Sequence, residues 1–385
     1  MPKNPDKPLA PKAARLMPQP TLRLVYADYR KFRKMKVSTI EKYESVIDLC
    51  FPDWWERNLN TISKDEILER HLSISTKNGP RGVGSTQANY AFRILRALFK
   101  YAQGRYEDVN LEPVVRRNPV NVLSSTRAWN KSKRRTRIIS KGKMKHWFRA
   151  LQEYPNDSIR DYLTFIFLTG CRRTESVILQ WSWVDLEHGI VSFPGTITKN
   201  GNDLVLPLCG YLWHLLKERR TRNDADPLWV FPGGTATQKT GKHLSNQLKC
   251  CDKIFQKSGV DWSVHDLRRT YATVALKCVS SDIIVKRLIN HSTGNDVTAG
   301  YVCLDPEDLR PHVDKIAATI LEYSGYRFIP QVGLVKLENV QQVEATIQEG
   351  ALINALKKLD PKTLKEIART FDRPQTMRLV VGSHT

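Results

Sequence analysis

Residues 159–175 read Ile159-Arg160-Asp161-Tyr162-Leu163-Thr164-Phe165-Ile166-Phe167-Leu168-Thr169-Gly170-Cys171-Arg172-Arg173-Thr174-Glu175. Ile159 to Leu168 is nearly all apolar, which predicts a helix buried all round rather than along one stripe. Gly170 breaks that helix. Arg172 opens the next one, close to a positive N-terminal end, where a guanidinium can fork onto two anionic oxygens. An Arg after a helix-ending Gly is usually structural or merely exposed, so the rest of the chain has to supply the partners that would make this one chemical.

Downstream, Gly189 to Phe193 reads as a strand. Thr196 to Lys199, then Asn200-Gly201, then Asp203 to Leu208 reads as a hairpin, because Asn-Gly between β-rich runs is a strong turn signal. Helices are expected at about 209–220, 243–257, 265–279, 281–290 and 306–323. Beyond them, Val340, Val343, Ile347 and Ala351 form a modest stripe. Asp360 and Pro361 open a short helix with Leu364, Ile367 and Phe371. Residues 326–385 therefore read as a helical appendage, too small to fold alone, that docks on its own domain or in trans on a neighbouring protomer.

Upstream, residues 1–20 hold six prolines and read as a flexible basic tail. Leu22, Val25, Tyr26, Tyr29 and Phe32 recur at helical spacing. Ser38 with Glu41, and Ser63 with Glu66, carry the capping-box signature before further helices. A long helix is expected from about Ser85, with Arg93, Arg96 and Lys100 among its apolar residues. The division this implies is a tail (1–20), a helical domain (21–127), a basic linker (128–137), a mixed α/β domain (138–325) and the appendage (326–385).

Charge narrows the function. The chain has 385 residues and a formal net charge of +22. Residues 1–140 hold 28 Lys and Arg against 13 Asp and Glu, a net of +15. Lys131, Lys133, Arg134, Arg135 and Arg137 crowd one short stretch. A basic chain seeks a polyanion, either nucleic acid or a membrane surface. No run approaches the roughly 18–20 apolar residues that span a bilayer, and no basic amphipathic segment or signal-peptide core is present, so a soluble cytoplasmic protein without a membrane partner is expected. Arg93, Arg96, Lys100 and the five linker cations are the candidate phosphate contacts. The seven cysteines include no CxxC pair and read as buried thiols, with neither a disulfide framework nor a metal site.

Breaking a phosphodiester without metal or nucleotide requires cations around the phosphate, a nucleophile and an acid for the leaving oxygen. The chain has no Walker A motif and no carboxylate cluster spaced for paired metals. It does have His265-Asp266-Leu267-Arg268, in which His265 and Arg268 share one helical face, then His291, then Tyr301 ten residues later.

This ordered set resembles the tyrosine site-specific recombinase, or phage integrase, family. Arg172 matches the first-box Arg, with Glu175 three residues on. Lys199 matches the hairpin Lys, His265 and Arg268 the His-x-x-Arg pair, His291 the next His, and Tyr301 the nucleophile. The chain departs from the common pattern at Asn290, where Gly is frequent, in a His291-to-Tyr301 gap one residue longer than in many members, and in lacking a His two residues after the Tyr. The resemblance covers roughly residues 138–323. It implies a mainly α protein with a small β-sheet: an N-terminal helical core-binding (SAM-like) domain and a mixed α/β catalytic domain.

It further implies an integrase or recombinase that needs no cofactor and works through a 3′-phosphotyrosine. Arg172 and Arg268 would clamp the phosphate, Lys199 would protonate the departing 5′ oxygen, and His265 and His291 would assist. Glu175 would support the Arg172 helix. Tyr323 and Tyr326 are fallback nucleophiles. The implied partners are double-stranded attachment or recombination sites, a homotetramer on DNA, and accessory DNA-bending or directionality proteins, in a nucleoid-associated setting. The alternatives are a type IB topoisomerase-like relaxing enzyme and a catalytically silent DNA-binding regulator.

Overall fold

The computed structural model describes residues 20–76, 84–108, 110–131, 135–222, 226–235, 238–244, 248–291 and 305–356. The tail, Lys133, Arg134, Tyr301, Cys303 and the helix expected after Asp360 lie outside these residues. The chain forms two compact units, one up to Arg135 and one from Thr136.

The first unit is helical. Helix α1 (Leu22–Phe32) starts at Thr21, whose hydroxyl accepts the Leu24 N–H. Helix α2 spans Val37–Cys50. Its N-cap is Lys36, not Ser38: the Thr39 and Ile40 N–H groups both donate to the Lys36 carbonyl, so the Ser38–Glu41 capping box does not form and both residues sit inside the helix. A Ser cap is worth about 1 kcal/mol, small enough for packing to overrule. The second signature is real. Before α3 (Lys64–Thr76), the Ser63 N–H donates to Glu66 Oε2 at 2.9 Å and the Glu66 N–H to Ser63 Oγ at 3.2 Å. Helix α4 (Ser85–Arg105) is central: Ala88, Ala91, Phe92, Leu95, Leu98 and Phe99 are buried against α1, α2 and α3. A short helix α5 (Val122–Ser125) follows. Asn130 is anchored to this unit: its N–H donates to Asn89 Oδ1 at 3.1 Å, and the Asn89 amide donates to its carbonyl at 2.8 Å.

The second unit is built around α7 (Asp157–Thr169). Leu163, Phe165, Ile166, Phe167 and Leu168 are fully buried, each contributing about 1.5–3 kcal/mol of apolar burial. Helix α6 (Lys141–Gln152) precedes α7, and the short α8 (Arg173–Val177) follows it. A three-stranded antiparallel sheet then forms in the order β1 (Val184–Asp185), β2 (Ile190–Phe193), β3 (Leu204–Pro207). After α9 (Gly210–Thr221) come a hairpin of β4 (Pro232–Thr235) and β5 (Gln238–His243), α10 (Leu248–Ser258), α11 (Val264–Cys278), α12 (Asp282–Leu288) and α13 (Pro306–Tyr323). Helix α11 packs on both α7 and α13. The unit is thus mainly helical with small sheets, as the sequence implies.

Three expectations change here. Thr196–Lys199 is not a strand. Phe193 pairs with Leu204, and residues 194–203 form a loop that folds on itself: the Gly195 N–H donates to Asp203 Oδ1 at 2.6 Å, and the buried Thr198 hydroxyl to the Asn202 carbonyl at 2.8 Å. Local side-chain bonds of this kind outcompete a ladder. Residues 232–243, unassigned or helical in the reading, hold the β4–β5 hairpin. Residues 326–336 are a hairpin too, β6 (Tyr326–Ile329) and β7 (Gly333–Lys336), and it is docked on its own unit: Phe328 packs on Tyr211, and Tyr326 on Phe148. The helical part of the appendage begins only at α14 (Val340–Leu356).

Candidate active site

Gly170 caps α7 with φ of +67°, a conformation that suits a residue without Cβ. The chain then turns back, and Arg172 becomes the N-cap of α8. Glu175, almost fully buried, holds this corner twice: Oε2 accepts the Arg172 N–H at 3.2 Å and Oε1 accepts Arg172 Nη1 at 2.9 Å. The Arg172 side chain keeps 19% exposure.

Helix α11 supplies the second arginine. Its first turn is pinned by Asp266, a buried carboxylate that accepts from the Ser263 N–H at 2.9 Å, Arg137 Nε at 2.7 Å and Arg269 Nη1 at 2.5 Å. Burial alone would push the Asp266 carboxyl up. The hydrogen bonds from Ser263 and Arg137 outweigh it and hold the group below the usual carboxylate range. From this turn His265 is exposed, while Arg268, three residues on, is buried. Arg268 Nη1 donates to the Gly170 carbonyl at 2.8 Å, and Nη2 donates to the Ile289 carbonyl.

The turn after α12 completes the arrangement. Arg172 Nη2 donates to the Asn290 carbonyl at 2.7 Å, one residue from the carbonyl that holds Arg268. The two guanidiniums are close enough that Arg172, after burial, lowers the pKa of Arg268. Glu175 offsets one of the two charges, which leaves the pair with a net positive bias suited to an anion. His265 is exposed overall, yet partial burial of its ring, then the charges of Arg269 and Arg268, lower its pKa and favour the neutral imidazole. His291 follows Asn290 and is exposed, with its N–H donating to the Lys286 carbonyl at 2.9 Å. Lys199 is exposed in the β2–β3 loop, and among the described residues no carboxylate pairs with it. Its neighbour Asn200 donates Nδ2 to Asn290 Oδ1 at 2.8 Å.

The structure therefore gathers Arg172, Arg268 and the loop of Lys199 around the turn Ile289-Asn290-His291, with His265 near enough to feel the charges of both arginines. Tyr301 lies outside the described residues. Of the fallback tyrosines, Tyr323 has the Lys141 ammonium over its ring at 4.4 Å, and Tyr326 packs edge-on against Phe148 at 5.3 Å. Both serve packing against α6.

The sequence reading missed Asn200, Asn290 and the anchoring role of Asp266. Asn290 did carry a signal, as a departure from the usual Gly, and its φ of +46° is a conformation Gly and Asn tolerate best.

Among the candidate phosphate contacts, Arg93, Arg96 and Lys100 lie along one face of α4. Arg93 and Lys100 are exposed, and the Arg96 guanidinium stacks over Trp129 at 5.3 Å. Lys131 and Arg135 are exposed. Lys133 and Arg134 lie outside the described residues. Arg137 is committed to Asp261 and Asp266 and so belongs to the second unit rather than to a free linker. Among the described residues no helix is long and apolar enough to cross a membrane.

The chain is similar to known proteins in sequence and in fold. Residues 139–307 match the family model described as the phage integrase family. Prophage integrase IntF of Escherichia coli strain K12 is 25% identical over 268 residues, covering 68% of this chain and 54% of that protein. Tyrosine recombinase XerA of Pyrococcus furiosus is 23% identical over 253 residues, covering 65% of this chain and 80% of that protein. The chain spans about half the length of the prophage integrases it matches. In fold it is similar to a lambda integrase (75–356) dimer bound to a COC′ core site, with a TM-score of 0.52 and 18% identity over 74% of this chain and 99% of that one. It is also similar to the Tn1549 transposon integrase in complex with transposon right end DNA, with a TM-score of 0.56 and 15% identity over 77% of this chain and 100% of that one.

Proposed function

We propose that this chain, whose residues 139–307 belong to the phage integrase family, is a site-specific DNA recombinase that cuts and rejoins strands through a covalent link to Tyr301. The observation that carries the reading is the arginine pair. Arg172 and Arg268 are each tied to adjacent backbone carbonyls, at Asn290 and Ile289, which presets two guanidiniums while Glu175 offsets only one of their two charges. Such preorganisation suits a pentacoordinate phosphoryl transition state, whose charge grows on the non-bridging oxygens.

In the proposed reaction the Tyr301 phenol oxygen attacks phosphorus and the bond to the 5′ oxygen breaks. Lys199 delivers a proton to that oxygen, and a neighbouring base takes the phenol proton. His265 and His291 hydrogen-bond the phosphate or relay the proton. The 3′-phosphotyrosine conserves the bond energy, so a 5′-hydroxyl from a second strand reverses the step without ATP. The DNA partner is a double-stranded attachment or recombination site, gripped by the basic helical unit. Four protomers would act together, as in the lambda integrase tetramer bound to a Holliday junction, with accessory bending or directionality proteins in the nucleoid.

The test uses a labelled nicked duplex made from the DNA that flanks the gene. Wild type is expected to yield protein-linked DNA on a denaturing gel. Tyr301→Phe removes only a hydroxyl, so it is expected to bind the duplex normally and yield none. Attachment by Tyr301→Phe would put the nucleophile elsewhere and sink the assignment.

A further inference from the structure

Asn290 does more than occupy a left-handed turn. Its carbonyl accepts Arg172 Nη2 at 2.7 Å, its side-chain Oδ1 accepts Asn200 Nδ2 at 2.8 Å, and the carbonyl just before it accepts Arg268 Nη2. Asn200 directly follows Lys199. On the other side of Lys199, Thr198 is fully buried and bonded within its loop. Lys199 is therefore an exposed cation whose two chain neighbours are both fastened, one to the loop and the other to the turn that holds the arginine pair. Asn290 is buried and Asn200 half-buried, and they exchange a single hydrogen bond: the buried atoms Asn290 Nδ2 and Asn200 Oδ1 have no partner among the described residues. An amide pair that leaves two buried polar atoms unsatisfied is a poor device for stability. Its geometric consequence is that one turn sets both the clamp and the loop of the lysine.

We propose that Asn200 and Asn290 form a latch that positions Lys199 against the phosphate held by Arg172 and Arg268, so that acid and clamp are brought into register together. Neither asparagine touches substrate; both are positioning residues. The proposal rests on the reading of Lys199 as the proton donor. It makes the frequent Gly at position 290 insufficient in this chain, because Gly supplies the backbone conformation but not the amide.

The test measures covalent capture by the full chain on two versions of the nicked duplex, one with the normal 5′ oxygen leaving group and one with a bridging sulfur, which departs without an acid. Asn290→Gly keeps the positive φ and the carbonyl that binds Arg172, and removes only the latch. Asn200→Ala removes its other half. Each is expected to bind DNA as wild type does and to slow capture on the oxygen substrate by about 10- to 100-fold, within the span that general acid catalysis covers. On the sulfur substrate each is expected to return to within about threefold of wild type, leaving the acid's contribution as the part lost. The double variant is expected to be no slower than the slower single one, because the two changes remove one shared interaction.

Wild-type rates on the oxygen substrate would overturn the latch. So would a defect that persists on sulfur while Lys199→Ala is relieved by it, because the damage would then lie in the clamp. A Lys199→Ala defect that sulfur does not relieve would overturn the acid assignment and the latch with it.

Discussion

At the scale of single residues, Gly170 shows how closely this site depends on backbone. Its φ is +67°, and a Cβ there would lie 2.4 Å from Tyr271 Cδ1, inside a fully buried ring. Its carbonyl also receives Arg268 Nη1. Gly170→Ala adds backbone strain to overpacking, and is expected to destabilise the second unit by about 2–4 kcal/mol. Because the strain is relieved by moving the same carbonyl that orients Arg268, covalent capture of DNA is expected to fall at temperatures where the variant is still folded. A denaturant midpoint measured beside the capture rate checks both parts. An alanine variant with an unchanged midpoint would show that Tyr271 yields freely and that the turn is not strained.

At the scale of elements, the β6–β7 hairpin changes how the C-terminal region is understood. Phe328 packs against Tyr211 and His214 of α9, with ring centroids 5.7 and 5.6 Å away, and comes close enough to Gly210 that a Cβ there would meet its ring at 3.2 Å. The hairpin is thus part of the second unit's packing, and α14 packs in turn on the hairpin, with Val340, Val343 and Ile347 against Ile329 and Val335. Phe328→Ala is expected to cost about 1–3 kcal/mol, less than the 3–5 typical of a fully buried Phe, because the ring is only half-buried. The readout is the unfolding midpoint of the second unit. A change confined to assembly on DNA, with that midpoint unmoved, would return the hairpin to the role of an exchanged arm.

At the scale of the whole molecule, charge is the dominant quantity. Residues 1–140 carry most of the +22, and Arg93 and Lys100 stand exposed on one face of α4. If this surface lies along phosphates, log affinity falls linearly with log salt at about 0.9 per phosphate neutralised. Replacing Lys133, Arg134 and Arg135 together with Ala is expected to weaken specific and non-specific binding alike and to flatten that slope by about 2–3. Fluorescence anisotropy over a salt series measures it. A triple variant that binds every duplex as tightly as wild type at all salt concentrations would remove these residues from the interface. Arg137 is left out of the set because Asp261 and Asp266 hold it.

What the sequence determined by itself was everything written in local spacing. The apolar run 159–168 had to be a buried helix and Gly170 had to end it, because each rests on residues within a few positions of one another; the capping-box signature was weaker, since Ser63 with Glu66 formed it and Ser38 with Glu41 did not. The order Arg172, Lys199, His265, Arg268, His291, Tyr301 was legible for a related reason: side chains with distinct chemistry announce themselves. Tertiary structure decided the rest. Whether β3 pairs with 190–193 or with 196–199 depends on a loop closing on Asp203, against which an Asn-Gly signal carries little weight. The partners of the two arginines are the carbonyls of Gly170, Ile289 and Asn290, some 98, 21 and 118 residues away in the chain. Every residue has a carbonyl, so no pattern of side chains points to the ones that matter; only the packing of α11 and α12 against the end of α7 selects them.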